Sequence, residues 1–325
     1  MKLSVQYYFL LILYCFSLQA QDVVFSQYFN APLKLNPAYT GNTFSNRINI
    51  IYRSQWLGLG PTYQSVALSG DGFIEGMNIG LGGNICYDSE GKGIYNTTSA
   101  NINTSYIMNA NDQLFIAGGI SLGFISKQLK KNLLVFESDI NPSNGTVNQT
   151  ANAIINKSST FSPDFGAGIL LFNADFYTGI AVHHLYTNEA VFLSKKFRLP
   201  MRYNFNAGYQ FRMNGNIKSI TPMILYENQN PFQQINIGAI ASAKKIYLGL
   251  SYRNVIANSD ALIFHLGYKN NILGLGYSYD ITMGQLMRYG YGTHELGITI
   301  DFSKSEKYLK SKRGRKYLDC FKMFK

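Results

Sequence analysis

Charge is scarce in this chain of 325 residues: Asp, Glu, Lys and Arg supply 14% of it, against about 25% in an ordinary soluble domain. That shortage argues against a conventional solvated surface. Long apolar runs are missing too. Beyond the first 20 residues, no stretch has the ~18 apolar residues of a membrane-crossing helix, so a helical membrane protein is excluded. Cysteine occurs only at Cys15, Cys86 and Cys320, too sparse for a disulfide framework and without metal-ligand spacing. Asn, Gln, Ser, Thr, Gly and Tyr fill the gap, and mean hydropathy stays near neutral at −0.06. A chain polar without being charged, and rich in aromatics and glycine, suits a barrel wall with one face to lipid and one to a polar interior.

The first 20 residues read as an export signal. Met1-Lys2 begins it, an apolar stretch runs from Tyr7 to Leu18, and Leu18-Gln19-Ala20 offers a cleavage site. Cys15 does not read as a lipidation site, because Tyr14 is too bulky for the small residue expected before it. Net charge is +11, but it is unevenly placed. Residues 303–325 hold nine Lys/Arg against Glu306 and Asp319, a net of +7, whereas 21–302 reach only +3. The basicity is a property of the tail and does not indicate a nucleic-acid-binding fold.

Alternation with period two recurs from about residue 45 to 302. In 201–213, Met201, Tyr203, Phe205, Ala207, Tyr209, Phe211 and Met213 share one face. Arg202, Asn204, Asn206, Gly208, Gln210 and Arg212 share the other. A strand separates these sets cleanly, whereas a helix scatters them. The pattern predicts 14 strands, near 45–56, 62–72, 76–88, 95–108, 113–127, 163–172, 175–185, 200–213, 217–228, 232–243, 245–254, 261–269, 271–282 and 293–302. Connections after even-numbered strands are short, and the long ones (128–162, 186–199 and 283–292) all follow odd-numbered strands. An up-and-down barrel sorts its connections this way, with short periplasmic turns and long outer loops. Soluble sandwiches and propellers also alternate. They seldom combine an Asn- and Gly-rich polar face with so many aromatics near strand ends. The expectation is therefore all-β: a transmembrane antiparallel up-and-down barrel over 45–302. A signal peptide covers 1–20, a lead-in or plug 21–44, and a basic periplasmic tail 303–325.

Three blocks carry a family resemblance: Phe25-Ser26-Gln27-Tyr28, Asn36-Pro37-Ala38-Tyr39-Thr40-Gly41 and Tyr52-Arg53-Ser54-Gln55-Trp56. With Tyr277-Ser278-Tyr279-Asp280, His294-Glu295-Leu296 and a basic tail ending in Cys320-Phe321, they resemble the PorP/SprF family of type IX secretion membrane proteins. Phe321 stands where that family often has Pro after the tail cysteine, and Asn30-Ala31-Pro32 where it often has Asn directly before Pro. The resemblance implies an outer-membrane barrel that supports export or surface anchoring of a large partner, such as a gliding adhesin. It also implies links to periplasmic ring or peptidoglycan-associated components.

Candidate partner-binding residues fall in three places. The segment 22–44 lacks alternation and carries Phe25, Tyr28, Asn36, Pro37 and Tyr39. It is either a plug within the lumen or an ordered lead-in to the first strand. Arg53 and the single Trp56 end the first strand, as an interfacial anchor or a partner contact. The tail offers Lys312, Arg313, Arg315, Lys316, Tyr317 and Phe321, where aromatics among charges favour docking over plain solvation. Arg202, Arg212, Asp280, Glu295 and Asp301 fall on inner faces and are expected to pair across the lumen. His183 and His184, being adjacent on a strand, should face opposite ways and make a poor chelate. With four scattered histidines, no nucleophile, base and orienter come together. The chain is therefore expected to be a non-enzyme without cofactor or metal, both of its termini periplasmic and its long loops extracellular, in contact with outer-membrane lipid. The alternative is a solute channel, porin-like or lipid-transporting.

Overall fold

The structure is a computed structural model that describes residues 22–60, 63–111, 114–135, 140–141, 145–146, 158–186, 190–192, 195–197, 199–255, 258–270, 272–283 and 290–302. The signal-peptide segment 1–20 and the tail, with Lys312, Arg313, Arg315, Lys316, Tyr317 and Phe321, lie outside the described residues.

Fourteen antiparallel strands form the barrel. They are β1 (Arg47–Gln55), β2 (Tyr63–Ile74), β3 (Ile79–Glu90), β4 (Tyr95–Asn109), β5 (Phe115–Leu129), β6 (Ser159–Phe172) and β7 (Phe176–His183). They continue as β8 (Arg202–Tyr209, resumed at Phe211-Arg212), β9 (Ser219–Gln229), β10 (Phe232–Ala243), β11 (Ile246–Val255), β12 (Asn258–Lys269), β13 (Leu273–Thr282) and β14 (Thr293–Asp301). Each strand pairs with its sequence neighbours, and β1 pairs with β14 from Arg47↔Asp301 to Gln55↔Thr293. That seam leaves no free sheet edge, so every strand can satisfy its backbone groups in hydrocarbon. Strands β4 and β5 span 15 residues each, more than the ~9–11 a tilted strand needs to cross. The wall is therefore taller on that side, and β6 begins four residues earlier than alternation suggests. Inside the connection after β7, Ala190–Phe192 and Lys195–Phe197 pair as a short ladder of their own.

The sidedness of the wall inverts that of a soluble protein. On β1, Ile48, Ile50 and Tyr52 face out and are exposed, while Arg47, Asn49 and Arg53 face in and are buried. Exposed aliphatics girdle the middle, among them Leu68, Ile85, Ile102, Ile180, Leu250 and Ile298. Exposed aromatics lie nearer the strand ends: Tyr87, Phe161 and Tyr252 toward the long loops, Tyr106, Tyr209 and Tyr268 toward the short turns. An aliphatic band between two aromatic belts matches hydrocarbon flanked by headgroups. Among the described residues, no helix is long and apolar enough to cross a membrane.

Candidate functional site

The barrel's core is its own N-terminal segment. Residues 25–44 lie inside the lumen, almost all of them buried. The segment has short turns rather than regular structure: 3-10 turns at Tyr28–Asn30 and Pro37–Tyr39 flank one helical turn at Pro32–Leu35. Pro32 and Pro37 start two of these turns, where proline's fixed φ and missing N–H cost nothing. Asn36 joins segment and wall. Its Oδ1 accepts from the Ala38 amide at 2.8 Å, and its Nδ2 donates to the carbonyls of Ile169 on β6 and Ile180 on β7, each at 3.1 Å. Further along, Asn206 donates to the Tyr39 hydroxyl at 2.7 Å, and Ser105 donates to the Thr40 carbonyl at 2.6 Å.

Glycines on the inner wall permit this close fit. A Cβ at Gly119 would lie 2.4 Å from the Ala38 nitrogen, and one at Gly80 would lie 2.1 Å from the Thr40 oxygen. Any larger residue there displaces the segment, because both obstacles are backbone.

Near the short-turn mouth the seal is mainly apolar. Phe44 packs edge-on to Phe73 at 4.9 Å between ring centres, and Phe115 and Phe172 stack at 5.3 Å beside it. Behind them sits a fully buried ion pair. Arg47 Nε meets Asp71 Oδ1 at 3.0 Å and Nη2 meets Oδ2 at 3.1 Å. The Gly41 amide donates to the same carboxylate at 2.7 Å, so Asp71 holds wall and segment at once.

Two ionic latches hold the segment nearer the long loops. At the seam, Arg53 and Glu295 face each other across β1 and β14 and are hydrogen-bonded. The Ser26 and Gln27 amides donate to the Glu295 carboxylate at 2.7 and 2.9 Å. Arg253 reaches over the small Ala261 to Asp280 at 3.0 Å, and Ser26 Oγ donates to the same Asp280 oxygen at 2.6 Å. In the second latch, His184 bridges Asp164 and Asp22, each at 2.8 Å, while Arg202 pairs with Asp22 at 3.1 Å. Burial works against charge on Asp22, but His184 and Arg202 outweigh it and hold the carboxyl well below its usual value. Burial likewise opposes charge on His184, yet Asp22 and Asp164 raise its pKa.

Several expected roles change. Phe25, Tyr28, Asn36, Pro37 and Tyr39 come together, but sealed in the lumen, where they contact the barrel's own wall. Arg53 is buried in the first latch, and Trp56 sits half-exposed at the rim, 5.1 Å edge-on from Tyr63. His183 and His184 do not face opposite ways. His184 lies just past β7 with φ +59°, which breaks the alternation and turns it inward beside His183. Arg212 is not in the lumen; it pairs at the surface with Asp175 at 2.9 Å. Arg202 pairs with the segment rather than with another strand. Arg47, Asp71 and Arg253 were missed, although the alternation that marks their neighbours as inward-facing marks them too.

The two ends of the described chain lie at opposite mouths, whereas strand parity alone puts both at one. Asp22 sits beside His184, Arg202 and Gln229, at the long-loop ends of β7, β8 and β9, while Phe302 leaves β14 among the short turns. Parity counts strands only, and the segment ahead of β1 crosses the lumen once more.

A closed 14-stranded barrel with a lipid-facing exterior and a lumen filled by its own leading segment is an outer-membrane barrel of the plugged class. Within that class, the chain belongs to the family described as type IX secretion system membrane protein PorP/SprF, which matches residues 17–300. No curated protein matches it. Solved structures with a similar arrangement include the Pseudomonas putida toluene transporter TodX, at 12% identity and TM-score 0.49 over 84% of this chain and 92% of that one. The Acinetobacter baumannii outer membrane protein Omp33 matches at 8% identity and TM-score 0.44, over 80% of this chain and 98% of that one.

Proposed function

We propose that this barrel is a non-catalytic component of type IX export that anchors or accompanies one secreted surface protein, such as an adhesin. One observation carries the reading: the lumen is filled by residues 25–44 and latched by buried ion pairs on several strands. A porin keeps a wet path, whereas here the cavities beside the segment, of about 40 and 110 Å³, hold room for a few waters. A filled, braced barrel suits a membrane-fixed holder.

In this reading the long loops and Asp22 face outside, and the short turns face the periplasm. Residues 303–325 then follow Phe302 on the periplasmic side. Lys312, Arg313, Arg315, Lys316, Tyr317 and Phe321 make that tail a docking arm for an acidic periplasmic partner, of the ring or peptidoglycan-associated kind.

Two measurements test this. The intact protein, purified from detergent-solubilised outer membrane, should retain a secreted surface protein. In planar bilayers it should show no large steady conductance, and a stable open pore would favour a solute channel instead.

A further inference from the structure

The plug stops short of the long-loop mouth and leaves a cup there. Its volume is about 400 Å³, and its floor is Asp22, Val23 and Val24. Trp56, Tyr63 and Phe232 lie on its rim. One wall carries Arg53 and Arg253, the other Asp88 and Glu90. Because the segment seals the lumen below, the cup is blind, so its use is to hold something rather than to pass it.

The charges in the cup say what it holds. Both arginines are already matched, by Glu295 and Asp280. Asp22 is matched by Arg202 and His184. Asp88 and Glu90 are two residues apart on β3, so their side chains share a face. Among the described residues, neither has a cation at salt-bridge distance; the two carboxyls interact with each other, and the buried Lys127 on β5 faces them from across β4. Asp88 is nine-tenths buried, and the hydroxyl of Ser65 donates to it at 2.6 Å. A carboxylate has about four acceptor sites, so most of its capacity remains. The rim aromatics add flat faces on which a guanidinium stacks. Trp56 is held there in a left-handed backbone conformation, φ +57°, with its amide donating to the Gly292 carbonyl at 2.9 Å.

We propose that this cup docks an extended peptide segment bearing a basic side chain, supplied by the protein that the barrel accompanies. The proposal rests on the anchoring role proposed above and gives that role a place and a chemistry. The basic group sits between Asp88 and Glu90, its neighbours in the peptide lie against Trp56 and Tyr63, and the N-terminal segment forms the bottom of the site.

The test uses the whole protein in detergent and the emission of Trp56, the single tryptophan of the chain. A hexapeptide of alternating arginine and threonine is the probe, and its glutamate–threonine counterpart the control. Saturable change with the arginine peptide alone is expected. Binding should weaken about tenfold or more in the Asp88→Asn, Glu90→Gln double variant. Should that variant fail to fold, Gln55→Arg adds a positive charge at the rim without removing a buried group, and it should weaken binding in the same direction. No saturable change in the wild type, equal binding of the glutamate peptide, or unchanged affinity in the variants would overturn the proposal. Retention of the same surface protein by wild type and variants, with no peptide response, would remove the cup and leave the anchoring role. A peptide response from a protein that retains no surface partner would support the cup and remove that role.

Discussion

The two mouths of this barrel are closed by different physics. The short-turn mouth is shut beside β2, β5 and β6 by aromatic packing over one buried ion pair, and beside β8–β14 it keeps a cavity of about 110 Å³ under Phe29. The long-loop mouth is held by charged latches and stays open above them as a cup. Apolar packing is insensitive to salt and to moderate pH, whereas ion pairs near a wet mouth respond to both. The dry end fixes the plug, and the wet end can be tuned.

The largest effect should come from Asp71→Ala at the dry end. It removes the carboxylate bonded twice to the buried Arg47 and leaves that guanidinium the Asn42 and Tyr39 oxygens and Asp301 opposite it on β14, which costs about 3–5 kcal/mol. Urea unfolding in lipid vesicles would measure this, and a loss under about 1 kcal/mol would mean that the aromatic cap suffices without the ion pair. Phe44→Ala comes next, at about 3–4 kcal/mol, because it leaves a cavity between Phe73 and Phe115. Its cost should be the same at low and high salt. A strong salt dependence would blur the contrast between the mouths.

The smallest effect is a pH window for the His184 latch. Asp22 has a lowered pKa, so its contribution is present above the ordinary value of 3.8 and is lost as pH falls through the lowered one. His184 has a raised pKa, so its contribution is full below the ordinary 6.5 and is lost as pH rises through the raised one. The latch is therefore tightest between those two ordinary values. Hydrogen exchange at the Val23, Val24 and Phe25 amides should be slowest there, while amides around Phe44 should show no such optimum. Equal pH profiles at both ends would sink the comparison.

Most of the wall was legible in the sequence because a strand writes its two faces as alternate letters. The set 201–213 located β8, alternation along the chain gave the count of 14, and the sorting of short and long connections agreed with it. The N-terminal segment left no such trace. Its partners lie far away in the chain, as Ser26 and Glu295 do, and it has no period to read. Both a plug and a lead-in therefore stayed open. His184 escaped because a single left-handed residue reverses the side on which a side chain lies. Arg212 escaped because it follows the break at Gln210, where the barrel wall ends and solvent begins.

The threading of residues 25–44 also constrains assembly. The segment joins the short-turn end of β1, so its leading end must cross the bore to the opposite mouth, either before β1 and β14 zip together or while the closed ring is still empty. A bulky folded cargo fused ahead of Asp22 would have to make the same journey and should keep the segment out of the bore. The same cargo fused after Phe302 would never need to travel.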